Sequence, residues 1–285
     1  MSRNFKAELV GAFGDPIAEN PTGVMQEAGF GAAGLDWRYL TLQVKAGDLA
    51  AAVAGARAIG MRGFNLTIPH KVAVIEHLDA LSKEAETIGA VNTVCIENGR
   101  LTGENTDGKG FLRGVRQDAG VDPSGKRVVV LGAGGAARAV AAELLLAGVR
   151  DLLVVNRSTE RGEQMTADLR ASTGKDIRFE RWQGTYAVPG DVDLFVNATS
   201  IGLYPDVDAM PDVDLGAAAP ATLVCDVVFN PPETPLLRAA RGRGLPTLDG
   251  LSMLVYQGVI AFQMWTGQEP DASVMKAALS EALGV

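Results

Sequence analysis

The run Arg127-Val128-Val129-Val130-Leu131 passes without interruption into Gly132-Ala133-Gly134-Gly135, and then into an alanine-rich helical pattern over residues 136–147. A strand of unbroken apolar residues is one covered on both faces. A glycine turn joining such a strand to a helix restricts this part of the chain to a βαβ unit. Gly132 permits the tight turn, Ala133 fills it, and Gly134 lets the backbone approach a ligand closely. The first amides of the helix, from Gly135 and Ala136 onward, then point at an anion. The strict spacing would put a third glycine at Ala137, where alanine still allows a helix to pack closely on a strand. The turn reads as a cradle for a dinucleotide pyrophosphate, with a purely structural turn as the alternative.

The alternation of strand and helix extends along the chain. Residues 7–14, 37–44 and 63–67 read as strands, with helices at 23–29 and 47–59 between them. Beyond the glycine turn, 152–155, 193–196 and 222–225 are further apolar strands. This spacing argues for parallel sheets built from βαβ units. Residues 251–266 and 271–283 are two helices with no strand to follow, and helices left over after a complete sheet often return to an earlier domain. The expected fold is α/β with two domains. A Rossmann-like nucleotide-binding domain at 107–250 is inserted in a discontinuous substrate domain, 1–106, which 251–285 completes. The length of 285 residues suits two such domains.

A net charge of −8 disfavours nucleic acid or an anionic membrane as partner, though it leaves a small anionic ligand open. Cys95 and Cys225 each sit in an apolar run and read as buried free thiols. Two cysteines and two histidines, none closely spaced, make no metal site. The first residues lack the apolar run of a signal peptide, and no stretch is apolar enough to span a bilayer, so a cytoplasmic location is expected. The expected partner is a small molecule, and a homodimer is compatible with this reading.

The end of the strand after the glycine turn selects the cofactor. An NAD site usually carries an acidic residue about 20 residues past the turn, to hold the ribose hydroxyls. Here the segment is Asn156-Arg157-Ser158-Thr159-Glu160-Arg161. Arg157 and Arg161, with Asn156 and Ser158 as short donors, suit a 2′-phosphate through charge-assisted hydrogen bonds and guanidinium stacking on adenine. The alternative is a helix capped by Ser158 beside solvated arginines. NADP(H) is the expected cofactor.

Upstream, Asn65 and Thr67 alternate on one strand face, Pro69 ends that strand and Lys71 enters the next helix. Asn92-Thr93 and Asn105-Thr106-Asp107 add polar groups in apolar surroundings. A Lys/Asp pair can move a proton on an alcohol or carbonyl, and beside a dinucleotide this suggests hydride transfer. By spacing alone, Lys71 is equally a surface lysine at a helix start.

Taken in order, these motifs resemble the shikimate/quinate dehydrogenase family over nearly the whole chain. The resemblance rests on Gly14-Asp15-Pro16-Ile17, Asn65-Leu66-Thr67-Ile68-Pro69-His70-Lys71, Gly89-Ala90-Val91-Asn92-Thr93 and Asn105-Thr106-Asp107-Gly108. It continues through the glycine turn, Asn156-Arg157-Ser158, Asn197-Ala198-Thr199-Ser200-Ile201-Gly202, residues 226–231, Gly250-Leu251-Ser252-Met253-Leu254 and Gln257. It implies an NADP-dependent oxidoreductase of aromatic amino acid biosynthesis, interconverting 3-dehydroshikimate and shikimate, with Lys71 and Asp107 as catalytic pair. Lys71 would give a proton to the developing alkoxide while Asp107 binds the neighbouring hydroxyl. Asn65, Thr67, Asn92 and Gln257 would hydrogen-bond ring hydroxyls, and Thr199, Val227, Gly250 and Met253 would lie at the nicotinamide end.

Two departures touch the acid-binding segment. The family's carboxylate site normally has two serines flanking one residue; here Asn20 and Thr22 stand in their places, preceded by Glu19. Phe229 stands where the family usually has a tyrosine whose hydroxyl reaches the substrate acid. Ser252, where glycine is usual, adds a side chain near the nicotinamide. Loss of one hydrogen bond to a charged group weakens binding by about 10- to 150-fold. The departures therefore keep open a shifted substrate: quinate, an amino-substituted analogue or a cyclic polyol without a carboxylate. A non-catalytic NADP(H)-responsive binding protein is the alternative of another class, against which the intact Lys71 and Asp107 count.

Overall fold

The computed structural model describes residues 5–285. In chain order the elements begin β1 (Glu8–Gly14), α1 (Thr22–Ala32), β2 (Trp37–Gln43), α2 (Leu49–Ala58), β3 (Gly63–Leu66), α3 (His70–Ala73), β4 (Ala80–Leu81), α4 (Lys83–Ile88), β5 (Thr93–Glu97) and β6 (Arg100–Glu104). They continue as α5 (Thr106–Gln117), β7 (Arg127–Leu131), α6 (Gly135–Leu146), β8 (Asp151–Asn156), α7 (Thr159–Thr173), β9 (Arg178–Arg181), β10 (Tyr186–Ala187) and β11 (Leu194–Asn197). Then follow β12 (Val213–Asp214), β13 (Leu223–Asp226), α8 (Pro235–Gly242), β14 (Thr247–Leu248), α9 (Gly250–Thr266) and α10 (Ala272–Leu283). The chain divides into two compact units, Met1–Thr106 with Gly258–Val285, and Asp107–Gln257. The second break falls inside α9, which runs unbroken past residue 250.

The first unit holds a six-stranded sheet in the order β2-β1-β3-β5-β6-β4. Alternate residues of β1 enter different cores, which is why its stretch from Leu9 to Phe13 is apolar throughout. Phe13 packs with Leu49, Val53 and Phe64 on one face, the Phe13 and Phe64 rings stacking at 4.5 Å. Val10 and Ala12 pack with Phe30, Phe262 and Trp265 on the other. The returning C-terminal helices thus complete this unit, and the Trp265 indole donates to the Val94 carbonyl at 3.0 Å.

Parallel pairing is predicted from the strand–helix alternation, and here the first sheet differs. β3 pairs antiparallel with β5, and β5 antiparallel with β6. The reason is local: Asn98 and Gly99 join β5 to β6 with φ of 51° and 76°. Two successive left-handed residues form the hairpin turn whose twist matches paired strands, and asparagine-glycine is its preferred sequence.

The second unit is parallel in every pair of its six-stranded sheet, ordered β14-β13-β11-β7-β8-β9. Read from β9, this is the doubly wound order whose strand sequence reverses between the first and fourth strands, here β7 and β11. Val128, Val129, Val130 and Leu131 are all fully buried, as a strand covered on both faces requires. This is the expected Rossmann-like α/β architecture. Ligands of such sheets lie outside the carboxyl ends of the strands at the reversal. No helix among the described residues is long and apolar enough to cross a membrane.

Candidate active site

In the second unit the glycine turn and Thr199 stand together at that reversal. Gly132 follows β7 at φ 106°, and a β-carbon there would lie 2.9 Å from the Ala198 carbonyl oxygen and 3.2 Å from the Thr199 methyl. Only glycine tolerates both the backbone conformation and the approach. Around Gly134 and Gly135, by contrast, a β-carbon would meet nothing within 4 Å. That open ground lies at the N-terminus of α6, ahead of Ala136, with Ala133 completing the turn. Backbone amides beside open space at a helix N-terminus suit a pyrophosphate.

The Gly132 amide also donates to the Val155 carbonyl at 2.8 Å, which ties the turn to β8 and so to the ribose end. There Ser158 caps α7, its hydroxyl accepting from the Arg161 amide at 3.3 Å, and the Asn156 side-chain amide donates to the Ser158 carbonyl at 2.9 Å. Both readings of Ser158 hold together: it caps the helix, and the cap places the exposed side chains of Arg157 and Arg161 beside the strand end. No carboxylate occupies residues 156–159. The residues fit NADP(H).

On the far side of the reversal, Thr199, Val227 and Gly250 come together. The Val227 amide donates to the Asn197 carbonyl at 3.0 Å, and Gly250 lies against the Val227–Val228 backbone, where a β-carbon would come within 2.3 Å of the Val228 oxygen. Asp226, at the end of β13, is buried. Its carboxylate accepts from the Asn197 side-chain amide (2.9 Å), the Val228 amide (3.1 Å) and the Thr234 hydroxyl (2.8 Å). Burial raises its pKa from 3.8 to about 6, against the opposing pull of these three hydrogen bonds.

A carboxyl that holds its proton more tightly in the folded than in the unfolded chain contributes stability that is full at low pH. That contribution is lost as pH rises through about 6. The stability of wild type relative to Asp226→Asn is therefore expected to fall by about 1–2 kcal/mol between pH 5 and pH 7.5. Urea unfolding of both proteins at the two pH values measures this. A pH-independent difference would mean Asp226 is ionised throughout.

The first unit carries a second polar cluster, strung along neighbouring strands. Asn65 donates through its side-chain amide to the Asn92 carbonyl at 3.1 Å and the Thr93 hydroxyl at 2.9 Å, and its oxygen accepts from the Tyr39 hydroxyl at 2.8 Å. Both amide hydrogens are thus used, which leaves the second lone pair of the oxygen to accept from a ligand hydroxyl. The Asn92 side-chain oxygen accepts from the Thr106 amide at 2.7 Å. Thr67 packs its methyl against Gly14, and its carbonyl accepts the His70 amide at 2.9 Å.

Lys71 is held by its backbone on both sides. Its carbonyl accepts from the Val91 amide at 2.7 Å, and the neighbouring His70 ring donates from Nε2 to the Val44 carbonyl at 2.6 Å. Lys71 belongs to the first unit, while Asp107 opens the second in the first turn of α5.

The departures in sequence have a visible form. Asn20 precedes α1 and turns its side-chain oxygen onto the Thr22 amide at 2.9 Å, leaving its NH₂ as the group it can present. Thr22 is buried at the helix start, and Glu19 is exposed. Gly23 brings this helix start against the Tyr39 ring, where a β-carbon would stand at 3.2 Å. The Asn20–Thr22 segment therefore joins the Asn65 cluster through Tyr39.

In the second unit, Phe229 is half-buried in the loop after β13, and Met253 is half-buried in α9. The Gln257 side-chain amide donates to the Leu254 carbonyl at 2.9 Å. Ser252 is buried, and its hydroxyl donates to the Asp118 carboxylate at 2.7 Å, next to the Tyr256 hydroxyl on the same carboxylate at 2.6 Å. It ties α9 to the end of α5, a contact between residues far apart in sequence.

Three residues of these clusters escape a reading by motif. Tyr39 lies on an edge strand whose only signal is its alternation with Thr41. Thr106 is read as a flank of Asp107, and Asp226 only as the start of a motif, yet all three are buried among polar partners.

The chain is similar to known proteins along most of its length. The profile described as "Shikimate dehydrogenase substrate binding domain" matches residues 12–94, "Shikimate / quinate 5-dehydrogenase" matches 115–204, and "Shikimate 5'-dehydrogenase C-terminal domain" matches 250–279. The shikimate dehydrogenase (NADP(+)) of Moorella thermoacetica is 45% identical over 97% of this chain and 94% of its own. Among solved structures, the ligand-free 5-ketofructose reductase of Gluconobacter sp. strain CHM43 is 47% identical, with a TM-score of 0.93 over 98% of this chain and 99% of that one. A shikimate dehydrogenase in complex with NADP⁺ is 37% identical, with a TM-score of 0.91 over 98% and 96%.

Proposed function

The chain belongs to the shikimate/quinate dehydrogenase family and is an NADP-dependent oxidoreductase, and from that premise we propose that it reduces a polyhydroxylated ketone carrying no carboxylate. The observation that carries this reading is the acid-binding segment. Where the family presents two serine hydroxyls and a tyrosine hydroxyl, this chain presents the Asn20 amide, the Thr22 hydroxyl and a phenyl ring at Phe229. The relative at 47% identity is named for 5-ketofructose, a sugar with no acid group. Asn65 supports the same class, since its remaining lone pair suits a substrate hydroxyl.

Bound NADPH supplies the hydride. The Lys71 ammonium gives its proton to the oxygen of the carbonyl under reduction, so that ketone, NADPH and one proton become alcohol and NADP⁺. Asp107 accepts from the neighbouring hydroxyl of the substrate. Asn65, Thr67, Asn92 and Gln257 orient the remaining hydroxyls, and Asn20 and Thr22 close the end of the pocket that relatives use for an acid. In the second unit, residues 132–136 cradle the pyrophosphate, Asn156, Arg157, Ser158 and Arg161 hold the 2′-phosphate, and Thr199, Val227, Gly250 and Met253 line the nicotinamide end.

Reduction of 5-ketofructose and of 3-dehydroshikimate with NADPH, compared by kcat/KM, tests the proposal. The neutral sugar is expected to exceed the acid by at least about tenfold, the effect of one lost hydrogen bond to a charged group. Preference for 3-dehydroshikimate would overturn it and leave shikimate formation as the activity, the reading that the NADP-dependent relatives favour. In the same assay Phe229→Tyr is expected to raise kcat/KM for the acid by about 10- to 150-fold and to leave the sugar little changed. An unchanged acid would mean that this hydroxyl is not the missing contact.

A further inference from the structure

Asp226 is a carboxylate with no cation among its hydrogen-bond partners, fully inside the second unit. A buried charge without a partner is costly, and a neutral or apolar side chain would satisfy packing alone at lower cost. What a carboxylate offers instead is two oxygens that only accept. Here three donors from three segments converge on them. Asn197 arrives from the end of β11, Val228 from the loop after β13 and Thr234 from the cap of α8. Each is fixed further on. The Asn197 side-chain oxygen accepts from the Thr199 amide (3.2 Å) and hydroxyl (2.7 Å), and the Thr199 hydroxyl oxygen accepts from the Ile201 amide (3.2 Å). The Thr234 oxygen accepts from the Leu237 amide at 3.3 Å. An asparagine at 226 would turn one donor toward another.

The place of this hub matters. The ribose-phosphate residues stand at the end of β8 and the glycine turn at the end of β7, so a dinucleotide continuing across the reversal lays its other half over β11 and β13. The Ala198 carbonyl oxygen and the Thr199 methyl both stand against the Gly132 turn, 2.9 and 3.2 Å from where a β-carbon would lie, and Val227 lies one strand further along. The geometry points to Asp226 as a positioning residue, which sets the Thr199 turn and the Val227–Val228 turn against the nicotinamide half of the cofactor. This rests on the cofactor placement proposed above. Asp226 reaches the cofactor only through these turns, so the adenosine half should not sense its loss.

The test separates the two halves. Asp226→Asn and Thr234→Val would be compared with wild type for binding of 2′,5′-ADP, for the fluorescence of bound NADPH, and for kcat and the isotope effect with C4-deuterated NADPH. Binding of 2′,5′-ADP is expected to stay within about twofold, while nicotinamide fluorescence changes, kcat falls roughly 10- to 100-fold and the isotope effect rises. Thr234→Ser, which keeps the hydroxyl, is expected to restore most of kcat. Folded variants that bind 2′,5′-ADP and keep wild-type fluorescence, kcat and isotope effect would overturn the proposal. If Asp226→Asn does not fold, Thr234→Val decides, since it removes one donor of the three. The fluorescence arm needs no ketone, so a wrong substrate leaves it intact. A wild-type protein that binds 2′,5′-ADP but not NADPH would overturn the cofactor placement and this role together.

Discussion

Lys71→Ala is expected to lower kcat for ketone reduction by roughly 10²–10⁴-fold, the usual worth of a positioned general acid, with NADPH affinity unchanged. The backbone at position 71 is anchored by contacts of its own. Val91 donates to its carbonyl and His70 is tied to Val44, and neither bond involves the ammonium. The residues proposed to hold the cofactor lie in the other unit, so NADPH titration reports an independent property. Lys71→Arg should be nearly as slow, since a guanidinium keeps the charge but does not give up its proton. Single-turnover reduction followed through NADPH absorbance measures the loss. Turnover near wild type in Lys71→Ala would remove the lysine from the chemistry.

The second large effect concerns cofactor choice. Arg157→Ala is expected to lower kcat/KM with NADPH by about 10- to 150-fold, at 1.5–3 kcal/mol for a hydrogen bond to a charged group. The double variant with Arg161→Ala should lose more, because both side chains are exposed beside the same strand end. NADH turnover should change little, since the lost contacts are to the 2′-phosphate. The backbone there is held by Ser158 and Asn156, whose hydrogen bonds use no arginine side chain. Parallel kinetics with both cofactors decide the matter: equal losses would mean that the arginines serve folding or another ligand.

Much of the second unit is legible in the order of its residues. The span of β7 agrees with its apolar run, and the glycine turn and the end of β8 sit where the pattern puts them. Continuous strands between helices have few alternatives. The first unit is less legible. Its hairpin depends on Asn98-Gly99, a turn signal inside a region dominated by strand–helix alternation, and β4 is too short to register as periodic. The site divides in the same way. Lys71 and Asn65 stand out by their neighbours in sequence, whereas Tyr39 acquires its role only from the Asn65 oxygen 2.8 Å away.

Sequence alone carried the family, through motifs ordered along nearly the whole chain, and pointed to the dinucleotide turn and a 2′-phosphate, because each of these motifs depends on residues within a few positions of one another. Tertiary structure decided what those side chains have left to offer. Asn65 spends both amide hydrogens on its neighbours, Asn20 turns its oxygen inward, and Ser252 answers to Asp118 across the length of the unit. Asp226 becomes an unusual carboxylate only once three donors from separate segments surround it away from water. Hydrogen-bond capacity and desolvation are set by contacts between distant segments, and no periodicity along the chain encodes them.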